Sequence, residues 1–290
     1  INSITYTEEV LYRNAWVYGT PSKNIEACGL MYEATKDVEI LDRMIYFCDK
    51  ALIQRNDKAS AGNGGQRITF TGNIDPVWPS DAVEPEVGHP ITAGIEQGQV
   101  LGYLAYCAKL ILETPEIADD NVPDNDMYDF GVTYSQRALK YIQECNYVID
   151  NWIMPNFIRV SENNHYYSPD DPAFTMMSPN IPFPWNQAMM LNCGLIRLVQ
   201  CHLILNNEVS RVANYDDIVE SNINWFKTYL YKIKSSVGTE CLNWRYSVTQ
   251  HNIEDMGHAA FVTRGFYLAY SSGRYGISFN ETMVPFANTY

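Results

Sequence analysis

Residues 36–56, KDVEILDRMIYFCDKALIQRN, place Val38, Leu41, Met44, Ile45, Cys48 and Leu52 on one stripe of a 3.6-residue period. The same period recurs through ALKYIQECNYVIDNWIMPNFI and most of the remaining chain. It predicts helices near 7–18, 23–35, 37–55, 91–114, 130–157, 184–207, 213–235, 255–272 and 282–290. Strand-like alternation is confined to QRITF, read as a small hairpin or edge piece. Several helices are apolar on more than one face, so each must be covered on both sides. Consecutive helices joined by loops satisfy this in a ring of helical hairpins, a complete or incomplete α/α toroid. A stacked solenoid does so too, but no fixed period supports it. The expected fold is therefore all-α, with residues 1–290 as a single toroid domain.

Three connections are too long to be simple turns: 58–90, 114–129 and 161–184. They hold Trp78, His89, His165, Tyr166 and Tyr167, and their aromatic content argues for order. They are expected to gather at one end of the helices and wall a cleft.

The net charge of −14 argues against nucleic acid, which needs a basic face. It also means that an acidic ligand needs a locally positive pocket. No run of about 18 apolar residues is free of polar interruption, so no membrane span is expected. The seven cysteines include no CxxC and lie mostly in apolar helical runs, which suits buried free thiols. Neither a zinc spacing nor a calcium loop is present, so no metal or cofactor is expected. Twenty-one tyrosines and six tryptophans suit either an aromatic core or sugar-stacking surfaces.

Three clusters carry possible chemistry. In NWRYSVTQHNIEDMGHAAF, Asp255 fits a helix N-cap with His258 in the first turn. Arg245 supplies a forked donor for a carboxylate, and as a neighbouring cation is expected to lower the Tyr246 phenol. His251 is a further candidate. The plainer reading makes Trp244 and Tyr246 loop anchors and pairs Arg245 with Glu254. In SENNHYYS, the cluster Asn163, Asn164, His165 and Tyr166 could hold a uronate carboxylate through neutral donors, or could form an Asx-rich turn. In FPWNQAMML, Trp185, Asn186 and Gln187 open a helix after Pro184, as a cap or as groups presented to the cleft. Glu254 and Asp255 could also serve as a glycosidase carboxylate pair.

HNIEDMGHAAFV with the preceding NWRY, PWNQAMM and GNIDPVWP resembles the α/α-toroid lyases that cleave β-1,4-linked glucuronan and polymannuronate, polysaccharide lyase family 38. ENNHYY is similar to the NNH-aromatic motif of the wider alginate-lyase group. The resemblance covers most of the chain as short islands. It implies the toroid and β-elimination on an anionic polysaccharide. A neutraliser polarises the carboxylate, a base removes H5, and an acid protonates O4. H5 and O4 lie on one side of these sugars, so one tyrosine can do both. Carried onto this chain, that tyrosine is Tyr246, with Arg245, Asn186 and His258 as partners and His251 and His165 in reserve. Asn164, Tyr166, Trp185, Gln187, Trp78 and Glu254 are the expected substrate contacts. Such a substrate implies a secreted or periplasmic enzyme. A uronan-directed glycoside hydrolase and a non-catalytic helical carbohydrate-binding protein are the alternatives.

Overall fold

The computed structural model describes residues 20–60, 65–79, 90–123, 126–250 and 252–289, and in it the chain is mostly helical. The expected helix at 7–18, His89 and His251 lie outside the described residues. Seven long helices form the body: α1 Thr20–Thr35, α2 Val38–Leu52, α3 Gly98–Leu112, α4 Tyr134–Val148, α5 Trp185–Leu205, α6 Val209–Tyr229 and α7 Met256–Ser271. Local chemistry sets their starts. Asp37 caps α2 through the Glu39 amide, and Thr133 caps α4 in a reciprocal box with Gln136.

Cross-helix contacts fix the directions. Gly98 meets Leu191, Gly102 meets Gly194, and Cys201 Sγ donates to Ala105 O at 3.3 Å, so α3 and α5 run parallel. On α1, Gly29 abuts Tyr106 and the Tyr32 hydroxyl bonds Thr114 at 2.8 Å, so α1 shares that direction. The opposite layer pairs Asp42 with Tyr134 and Arg55 with Glu144, which makes α2 and α4 parallel to each other. Cys145 near the end of α4 meets Leu101 near the start of α3, so the two layers oppose. Helix α6 returns along α5, bringing Phe226 against Trp185 at 5.2 Å.

The seam between α3 and α5 is closer than ordinary side chains allow. A Cβ on Gly98 would stand 2.2 Å from the Leu191 Cα, and one on Gly194 would stand 2.8 Å from the Gly98 carbonyl oxygen. Glycine is required there because backbone meets backbone. Helix α5 is also the one helix among the described residues long and apolar enough to cross a membrane, which the sequence reading had not expected. Of its most apolar window, 78% is buried in the fold, as a core helix surrounded by others would be.

Strand content is small but differs from expectation. QRITF contributes a single bridge, Thr69 to Ile91. Two antiparallel hairpins form elsewhere. The first pairs β1 Ile158–Arg159 with β2 His165–Tyr166, and the second pairs β3 Tyr231–Lys234 with β4 Glu240–Asn243. The helix expected to reach 235 therefore stops at Tyr229. Leu230 is extended, YKIK alternates, and Gly238 at φ +83° turns the chain back. Near the C-terminus, the expected helix is a π turn, Phe279–Met283, continuing into Val284–Ala287.

Two of the three long connections meet at one end of the helices, but among the described residues neither lines the cleft between α1, α3 and α7, which helical residues and the start of α7 form. Residues 66–79 pack against the start of α3, where the Trp78 amide donates to Gln97 Oε1 at 2.7 Å. Residues 161–184 join them through Phe70 and Phe174, 5.3 Å apart, and run into α5. The connection from 114 departs from the far end of α3 instead, where Val122 pairs with Val132. All seven cysteines are buried and unpaired, as their apolar settings implied.

Candidate functional site

Helices α5 and α7 bring their N-terminal ends together through the segment between β4 and α7. The Trp185 amide donates to the Tyr246 carbonyl at 3.2 Å, and the Tyr246 amide donates to Asn252 O at 2.9 Å. These two bonds pin Tyr246 on both sides. Asp255 caps α7, accepting from the His258 amide at 3.0 Å, and its second oxygen accepts from His258 Nδ1. A carboxylate only accepts, so Nδ1 carries a proton and donates it. The Tyr246 ring stands edge-on to the His258 ring, with centroids 5.3 Å apart at 74°. Carboxylate, imidazole and phenol thus follow one another at the mouth of the helices.

The electrostatics differ from those expected of the sequence. Burial raises the Tyr246 phenol, and Glu254 and Asp255 raise it further. The expected lowering by Arg245 does not occur, because Arg245 is exposed in a bridge to Ile253 and its charge plays no part at the phenol. The hydrogen bond from His258 holds the Asp255 carboxyl below its ordinary value. Glu254 moves the other way: burial pushes its carboxyl up to about 8, with Asp255 adding to the rise and the Trp244 indole opposing it from 3.3 Å. Glu254 Oε1 is buried and has no hydrogen-bond partner among the described residues. Two sequence neighbours are therefore driven apart, one protonated and one ionised at neutral pH. One ligand atom each from Glu254, Asp255 and His258 lies within 4.8 Å of the others, so these three could hold a cation. Their place at a helix N-terminus, with its partial positive charge, disfavours one.

Asn186 belongs at the same mouth by helix geometry. Its stripe on α5 continues through Met189, which meets Gly265 of α7, and Met190, whose carbonyl meets Gly98 of α3. Asn186 is buried and its Oδ1 has no hydrogen-bond partner among the described residues. Trp185 Nε1 and Gln187 Oε1 share that condition. Consecutive helical positions point about 100° apart, so these three orphaned atoms do not face one cavity. The Trp185 ring faces α6, against Trp225, Phe226 and Tyr229.

The SENNHYYS residues take a separate place. His165 stacks on Trp225 at 4.0 Å and 3°, and Asn164 donates to Asp217 at 2.6 Å, so β2 is fastened to α6. Burial lowers the His165 imidazole, with Glu162 opposing. Tyr166 is fully buried and its hydroxyl donates to Asn192 at 2.6 Å, so it is a core residue and not a substrate contact. Trp78 is likewise buried, its indole bonded to Ala51 O at 2.8 Å; it ties the 66–79 connection to α2. Both corrections have one cause: a ring in an aromatic-rich loop packs inward unless the loop has no core to cover.

A cleft of about 660 Å³ opens beside His258 between α1, α3 and α7. Lys23 and Glu26 of α1, Gln99 and Tyr103 of α3, and His258, Phe261 and Arg264 of α7 line it, with Asp255 and Gly257 at its rim. Glu26 receives both Arg197 of α5 and Arg264 of α7. Burial alone would raise the Glu26 carboxyl, but the two guanidinium groups outweigh it and hold it below the ordinary value. Arg264 Nη1 donates to the Tyr103 hydroxyl at 3.0 Å, and Gln99 donates to the same oxygen. Sequence reasoning passed over this group. Its one local signal was a lone arginine inside each of two apolar runs, AAFVTRGFYLAY and LNCGLIRLVQ. Comparison with family models, with curated proteins and with solved structures finds no match to the chain.

Proposed function

We propose that the chain is a polysaccharide lyase that cleaves β-1,4-linked uronans, glucuronan or polymannuronate, by β-elimination. The supporting observation is the run Asp255, His258, Tyr246 beside an open cleft. Asp255 orients the imidazole through Nδ1, so that in its neutral form Nε2 can accept a proton, and the Tyr246 ring stands edge-on to it. In the proposed reaction the Tyr246 oxygen, relieved of its proton by His258, takes H5 of the uronate. The C4–O4 bond breaks, a C4=C5 double bond forms, and the proton passes to the departing O4. Glu254, protonated at neutral pH, can donate to the uronate carboxylate and so acidify H5. On this reading the parallel set α1, α3, α5 and α7, backed by α2, α4 and α6, forms an incomplete α/α toroid whose N-terminal mouths carry the site. A secreted or periplasmic location follows from the substrate class. The test is absorbance of the 4,5-unsaturated product on incubation with glucuronan and with polymannuronate. No rise on either polymer refutes the proposal.

A second reading is favoured by one observation. The raised Glu254 and lowered Asp255 carboxyls are the pattern of a glycosidase acid and its ionised partner. It is weakened because capping and His258 already occupy both Asp255 oxygens. New reducing ends without the unsaturated chromophore would select it.

A further inference from the structure

We propose that the cleft between α1, α3 and α7 is a carboxylate subsite, in which Arg264, Lys23 and Tyr103 hold the acid group of a sugar. The chain carries a net charge of −14, so an acidic ligand needs local positive charge. The cleft provides it. Glu26 is one carboxylate shared between two guanidinium groups, and Asp255 is engaged by His258. Lys23 stands exposed at the same wall, so the groups lining and backing the cleft hold three cations against two carboxylates.

The donors are held in place before any ligand arrives. The Arg264 guanidinium lies over the Tyr103 ring, 4.8 Å from its centroid, and is fixed by Glu26 and by the Tyr103 hydroxyl. Its Nε is buried without a hydrogen-bond partner among the described residues. The Arg264 side chain nevertheless remains 23% exposed, so part of it is open to a ligand. The Tyr103 oxygen accepts from both Arg264 and Gln99, which leaves its own proton to be donated elsewhere. Phe261 and Ala27 add an apolar wall suited to the face of a sugar ring.

Position also fits. Arg264 lies six residues beyond His258, a rise of about 9 Å, and helical side chains lean toward the N-terminus. His258 and Arg264 line the same cleft within the span of one or two sugar units. A carboxylate held there would belong to a sugar unit one or two removed from the one at His258. The identity of the ligand as a uronate rests on the lyase reading; the subsite itself does not.

The experiment uses two sugars that cannot be cleaved, methyl β-D-glucuronide and methyl β-D-glucoside, which differ only in the acid group. Binding is measured by saturation-transfer NMR on the full chain and on Arg264→Gln, Lys23→Gln and Tyr103→Phe. Circular dichroism melts check folding. The glucuronide should bind at least ~10-fold better than the glucoside, by the strength of charge-assisted hydrogen bonds. That preference should fall several-fold in each variant and weaken with added salt. Equal binding of the two sugars, or a preference unchanged in every folded variant, overturns the subsite. If Arg264→Gln does not fold, the exposed Lys23→Gln and the conservative Tyr103→Phe carry the test. The ultraviolet assay run in parallel separates the two claims. A preference without unsaturated product refutes the lyase reading alone. Product formed with KM unchanged in Arg264→Gln refutes the subsite alone.

Discussion

Replacing Glu254 with glutamine should make the protein more stable at alkaline pH and leave it nearly unchanged at acid pH. The carboxyl rises from 4.5 to about 8 on folding because it is half-buried with Oε1 unpartnered. Between those values the unfolded chain has lost this proton and the folded chain keeps it. Stability contributed by the neutral acid is thus fully present below 4.5 and is lost as pH rises through about 8. A rise of roughly 3.5 at about 1.4 kcal/mol per pH unit gives a ceiling of roughly 5 kcal/mol. Part of the side chain reaches solvent, and screening reduces this to about 2 kcal/mol. Glutamine keeps an acceptor for the Trp244 indole and carries no charge to bury. Its advantage should therefore grow from near zero at pH 5 to about 2 kcal/mol at pH 9, a Tm difference of roughly 5 °C for a chain of this size. Calorimetric melts of both proteins at half-unit pH steps measure it. Parallel Tm curves across that range would show that Glu254 ionises normally, and the protonated donor assigned to it would go.

The same substitution should leave lyase turnover within about 3-fold, because the glutamine amide can still donate to the carboxylate, whereas a glycosidase, which needs a proton from Glu254, would lose nearly all hydrolysis. Tyr246→Phe should reduce turnover by ~10³-fold or more with Tm within about 1 °C, since the hydroxyl makes no hydrogen bond among the described residues; retained activity moves the base elsewhere. Asp255→Asn keeps a good helix cap but weakens the hold on His258, so turnover should fall ~10- to 100-fold with stability nearly unchanged; a large drop in Tm with normal turnover would make Asp255 a cap only. Gly98→Ala drives a methyl into the Leu191 backbone and should cost about 2 kcal/mol or more, read as a lower denaturation midpoint; an unchanged midpoint would contradict the close α3–α5 seam.

The helices were legible because their signal is local. The stripe from Val38 to Leu52 is a property of fifteen consecutive residues, and α2 covers it. Asp255 as a cap was legible for the same reason, and it accepts from the His258 amide as a cap should. The end of α6 was misread because TYLYKIK satisfies a helical stripe about as well as a strand. Only pairing with Glu240–Asn243, beyond the turn at Gly238, decides between them. Trp78 and Tyr166 were misplaced because loop aromatics announce size and not direction; their partners, Ala51 and Asn192, lie 27 and 26 residues away.

The site divides along the same line. Tyr246, Glu254, Asp255 and His258 fall within thirteen residues, and one short segment could be examined as a unit. The cleft is built from Lys23 and Glu26, Gln99 and Tyr103, and Phe261 and Arg264, with Arg197 behind them, so it draws on four helices. No window of sequence contains it. What a sequence does show is its consequence: an arginine inside an apolar helix needs a buried acid, because an unpaired buried charge costs several kcal/mol. Arg197 and Arg264 therefore demanded a shared partner before any fold was known. Glu26, flanked by Ile25 and Cys28 in the buried face of α1, was placed to supply it. One acid for two such cations leaves positive charge over, and in a chain this acidic that surplus marks where an anion can be received.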